Sequence, residues 1–64
     1  MTTTVTHQDA KQYVKTLFAG QQIQLLHTQD SEEDGAVDVM FILDERTECM
    51  TVWIEPGHGI YGEW

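Results

Sequence analysis

Three histidines, His7, His27 and His58, and one cysteine, Cys49, are the side chains best suited to metal ligation or nucleophilic catalysis. Their spacings fit no zinc pattern, and a single thiol is present. Cys49 becomes a nucleophile only where the fold sets a histidine against it. Otherwise it reads as a small, half-buried residue beside Trp53. His7 reads as a first-turn helix residue in solvent, and His27 as the end of an apolar strand face. The nucleophile elbow, the P-loop and H-E-x-x-H do not occur. Gly57-His58-Gly59-Ile60-Tyr61-Gly62 matches G-x-G-x-x-G in its letters. A dinucleotide site also needs a strand before the glycines, a helix after them and a βαβ unit. The glycines are therefore expected to permit a turn and a tail. The expectation is a protein that is not an enzyme and needs neither cofactor nor metal.

The carboxylates are the next candidates. Asp30, Glu32, Asp34 and Gly35 fall at positions 1, 3, 5 and 6 of a calcium loop, with Asp38 at position 9. Position 12, which should carry a bidentate Glu, is Phe41, and the segment leads into a strand rather than a helix. The run Asp30-Ser31-Glu32-Glu33-Asp34-Gly35 is left as a solvated polar turn or a charged surface that docks on a basic partner.

These side chains must be held by local structure. Thr6-His7-Gln8-Asp9 has capping-box form, with Thr6 as N-cap and Asp9 at N3. Ala10, Tyr13, Val14, Leu17 and Phe18 then follow the spacing of one apolar helix stripe. The expected helix covers residues 8–19, with Gly20 closing it in a left-handed conformation. Residues 1–5 read as a frayed or extended lead-in. Strands are expected over 21–28, 37–43 and 48–54, with Asp44-Glu45-Arg46-Thr47 as a tight connection. Pro56-Gly57-His58-Gly59 breaks the third strand, and 60–64 forms a short last strand or a tail folded back.

Strand alternation sorts two faces. Ile23, Leu25, Val37, Val39, Phe41, Leu43, Met50, Val52 and Ile54 share one, the seat for the helix. Gln24, Leu26, Thr28, Asp38, Met40, Ile42, Cys49, Thr51 and Trp53 share the other. That second face is mixed, and is to be covered by the tail or by a partner. The fold class is α+β: one N-terminal helix on a three-stranded, or with the tail four-stranded, antiparallel sheet in the order α-β-β-β. The expectation is a single domain.

Charge narrows the function. Eleven Asp and Glu face three Lys and Arg, a formal net charge of −8 over 64 residues. A chain this short buries only about 60% of its unfolded surface, so self-repulsion weighs on a thin margin. Direct nucleic-acid binding is disfavoured, because Lys11, Lys15 and Arg46 are the only side chains able to neutralise phosphates. A basic surface that normally holds phosphates is instead the natural partner. The N-terminal MTTTVTHQDA does not read as a signal peptide, and no apolar run approaches the roughly 20 residues of a membrane span. One cysteine asks for no oxidising compartment. A soluble, cytoplasmic protein is expected.

The carboxylates Asp30, Glu32, Glu33, Asp34, Asp38, Asp44, Glu45 and Glu48 lie before, on and after the 37–43 strand, which spans roughly 20 Å. Together with Trp53 they are the expected partner-binding residues. Small size, the acidic turns DSEEDG and DERTE, one helix on a small sheet and no catalytic motif run the length of the chain. In these features it resembles the small acidic anti-CRISPR proteins of phages and mobile elements, with type I-C inhibitors the nearest group. The resemblance implies stoichiometric binding to a DNA-recognising subunit of a Cascade-like complex, in the cytoplasm of the bacterial host, blocking target DNA or its PAM. Two other classes stay open: a protein–protein adaptor using the mixed sheet face, and a homodimer pairing Leu26, Met40, Ile42 and Trp53. A monomer is otherwise expected.

Overall fold

The Thr6 hydroxyl accepts a hydrogen bond from the Asp9 N–H at 3.0 Å, and this cap starts the helix. Such a cap contributes about 1 kcal/mol. The computed structural model describes residues 4–64, as helix α1 (His7–Leu17) and strands β1 (Ile23–Asp30), β2 (Val37–Leu43), β3 (Arg46–Glu55) and β4 (Gly59–Glu63). The strands form one antiparallel sheet in the order β1-β2-β3-β4. The 60–64 segment is thus a fourth strand at the sheet edge.

Helix α1 lies on one face of the sheet. Its Ala10 and Val14, with Phe18 just past its end, are buried against Val37, Val39, Phe41, Met50 and Val52. Ile23, Leu25, Leu43 and Ile54 pack around this centre. Each fully buried Val, Phe or Met contributes roughly 1.5–3 kcal/mol of transfer free energy. Leu17, expected on the buried stripe, is instead 50% exposed.

The helix stops earlier than its periodicity predicts. Phe18 is the C-cap, and the Ala19 N–H bonds the Thr16 carbonyl in a tightened last turn. Gly20 has φ +91°, but lies two residues past the cap, so it redirects the chain rather than closing the helix. The lead-in is also more ordered than expected at its inner end. Val5 is buried, and its N–H donates to the Gly35 carbonyl. Met1, Thr2 and Thr3 lie outside the described residues.

The first strand begins and ends two residues later than expected, and its parity breaks. Leu25 pairs with Phe41, but His27 pairs with Met40, so Leu26 is the extra residue of a β-bulge. Beyond the bulge every side chain changes face. Thr28 and Asp30 therefore sit opposite Val39 and Val37 on the helix side. His27, expected at the end of the core face, lies opposite Met40 on the other.

The third strand starts two residues early, because the β2–β3 connection is only Asp44-Glu45. Both have positive φ, 47° and 72°, the signature of a type I′ hairpin turn. Between β3 and β4 the His58 N–H bonds the Glu55 carbonyl, with Pro56 and a positive-φ Gly57 between them. That is type II turn chemistry. Gly62 has another role. A Cβ there would meet Met50 Sδ and Tyr13 Cε1 at 2.6 Å, so its absence lets helix and sheet close together.

Candidate partner-binding surface

The sheet face opposite α1 carries no covering element among the described residues. The tail does not fold over it. Ile60 and Gly62 of β4 pair with Ile54 and Val52 on the helix side, and Trp64 packs at a tilt against Phe18 and Phe41 with ring centroids 5.5 and 5.9 Å away. The open face therefore shows Met40, Ile42 and Trp53, each half-buried, and Tyr61, which is 43% exposed. Trp53 and Tyr61 are cross-strand partners and stack, with centroids 6.4 Å apart and planes 28° apart. Tyr61 was not among the predicted site residues. Once a fourth strand is drawn, alternation alone places it beside Trp53.

Charge is segregated between the faces. Asp38 of β2, Glu55 of β3 and Glu63 of β4 share the open face with Trp53. None of the three basic residues does. Lys11 and Lys15 line a groove between α1 and β1, and Arg46 pairs with Leu43 on the helix side.

The predicted carboxylates fall into separate places. Glu32, Glu33 and Asp34 are exposed on the β1–β2 loop. The loop backbone is fixed by Ser31 N–H to Ala36 O, Ala36 N–H to Glu33 O and Glu33 N–H to Ser31 Oγ. Asp44 and Glu45 are exposed on the turn at the other end of β2. Asp38 accepts the Thr51 hydroxyl at 2.8 Å, midway along the open face. Two of the set face elsewhere. Asp30 lies on the helix side because of the Leu26 bulge, with Oδ1 2.9 Å from His7 Nε2. Glu48 pairs with Phe41 and is half-buried on that same side. His7 is accordingly not a free solvent residue: its Nδ1 also lies 2.7 Å from Thr28 Oγ1.

One depression of about 470 Å³ draws part of the predicted set together. Glu33 and Asp34 of the loop, Thr51 and Trp53 of β3, Glu63 of β4 and Trp64 border it. Glu63 was not predicted. Its signal was the pairing Thr51↔Glu63, invisible until β4 is in the sheet.

Cys49 is exposed on the open face opposite Met40, rather than half-buried. Desolvation first, and then the Asp38 carboxylate, push its thiol above the ordinary range. Both disfavour the thiolate that nucleophilic chemistry requires. No group of three His, Cys, Asp or Glu among the described residues converges to hold a metal ion. No helix among them is long and apolar enough to cross a membrane.

No family model, curated protein or solved structure matches the chain.

Proposed function

We propose that this protein is a stoichiometric inhibitor. It binds a basic, nucleic-acid-recognising protein and holds carboxylates where phosphates would lie. The observation that carries this reading is the charge segregation. The open face and the loop beside it present Glu33, Asp34, Asp38, Glu55 and Glu63, with no Lys or Arg at any open-face strand position. The backbone hydrogen bonds of the β1–β2 loop support it further, because preorganised charge speeds association and reduces the ordering cost. Asp44 and Glu45 stand at the far end of β2, roughly 20 Å along the strand. That is a length comparable with several phosphate steps of a duplex. In the setting implied by the anti-CRISPR resemblance, the target is a DNA- or PAM-recognising subunit of a Cascade-like complex, a type I-C complex being the first to try. The site of action is then the cytoplasm of the bacterial host.

The half-buried Met40, Ile42 and Trp53 and the exposed Tyr61 favour a second reading, a protein–protein adaptor or a homodimer built on the same face. A homodimer sets Asp38, Glu55 and Glu63 against their own copies, whereas a basic partner neutralises them. Glu32→Lys, Glu33→Lys and Asp34→Lys together separate the readings. An inhibitor of the proposed kind loses its partner, an adaptor that relies on the apolar centre keeps it, and a homodimer tightens as repulsion falls.

A further inference from the structure

The depression beside Trp53 combines features that point to one chemical class of occupant. Its carboxylates come from two different elements, Glu33 and Asp34 from the β1–β2 loop and Glu63 from β4. The half-buried Trp53 lines the same depression, its ring stacked on Tyr61 and so restricted in orientation. The volume of about 470 Å³ admits a planar side-chain terminus together with part of its stem. The net charge of −8 fixes the sign of the occupant.

We infer that this depression receives an arginine of the basic partner, with the guanidinium flat on the Trp53 indole and the three carboxylates as its hydrogen-bonding counter-charges. The inference rests on the proposed function for the partner's basic character and adds the recognised side chain. A guanidinium fits better than an ammonium for two reasons. It stacks on an aromatic face, and its planar fork donates to carboxylates on more than one side. An ammonium is a compact, strongly hydrated point charge that gains less from the indole.

The test titrates the ¹⁵N-labelled protein at low salt with three ten-residue peptides, alternating Ser with Arg, with Lys or with citrulline. The Trp53 indole N–H resonance is followed. The Arg peptide is expected to shift that resonance and to bind about three- to fivefold more tightly than the Lys peptide. The citrulline peptide, planar but neutral, is expected not to bind. Trp53→Leu, checked for folding by circular dichroism, removes the Arg preference and leaves Lys-peptide affinity within about twofold. Glu63→Gln lowers Arg-peptide affinity and serves if the Trp53 variant does not fold. Equal affinity for Arg and Lys, no binding by either, or shifts confined to Asp44 and Glu45 overturn the inference. The two readings fail separately. Competition with nucleic acid that persists in Trp53→Leu removes the arginine site and leaves the inhibitor. An intact Arg preference with no competition does the reverse.

Discussion

His7 Nε2 lies 2.9 Å from Asp30 Oδ1, so the first turn of the helix engages the first carboxylate of the acidic run. The contact exists because the Leu26 bulge turns Thr28 and Asp30 to the helix side of the sheet. Asp30 is thereby separated in role from Glu33 and Asp34, four residues or fewer along the chain.

That separation gives a graded expectation for partner binding. Asp30→Asn is expected to change affinity less than about twofold, since its carboxylate faces away from the open side. Glu33→Gln with Asp34→Asn is expected to weaken binding about tenfold, in keeping with removal of two favourable charges from an interface. Binding of the captured partner, followed by calorimetry at fixed salt, checks both. Equal losses from the two variants would show that the faces are not distinguished.

The β2–β3 turn carries a local conflict that a substitution relieves. Glu45 holds φ 72°, a region that glycine adopts without a Cβ penalty. Glu45→Gly is expected to stabilise the fold by about 0.5–1 kcal/mol. The urea midpoint should rise with the slope unchanged. Glu45→Val, β-branched at positive φ, is expected to lower it.

Gly62 carries the opposite expectation. A methyl group there would collide with Met50 and Tyr13, which close the gap between the edge strand and α1. Gly62→Ala is expected to cost about 1–3 kcal/mol through overpacking. Thermal unfolding of the variant checks this, and no loss would mean that Met50 and Tyr13 move aside freely.

The same glycine shows what the sequence can and cannot disclose. Its letters complete a G-x-G-x-x-G pattern, which in the fold runs from the β3–β4 turn into the edge strand β4. Its packing role depends on Tyr13, 49 positions earlier, and nothing local announces it. Apart from Leu17, the helix stripe was legible, as were the three main strands and both faces of β2 and β3, because alternation is strict wherever one face is buried. The face of Thr28 and His27 was not, because one extra residue in β1 reverses all that follows. The carboxylates were legible as a set. Their division between open face, helix side and turn was hidden, since it follows from the bulge and from the edge strand that brings in Tyr61 and Glu63.

Cys49 offers a pH-dependent test of the open face. Its thiol is held above the ordinary range by desolvation and by Asp38, so it stays protonated through neutral pH. Alkylation by iodoacetamide should therefore be slower than for a free-cysteine peptide at the same mildly alkaline pH, although the residue is exposed. Asp38→Asn removes a nearby negative charge, favours the thiolate and should shift the rate profile to lower pH. An unshifted profile would separate Asp38 from Cys49.

The proposed inhibitor is tested most directly by retention from a bacterial lysate. The tagged protein is incubated with lysate of cells carrying a CRISPR-Cas complex, and bound material is eluted first with duplex DNA, then with salt. The account predicts that a nucleic-acid-binding protein is retained and is released by the DNA. A lysate from which nothing is retained, or a retained partner that neither DNA nor salt removes, would contradict it.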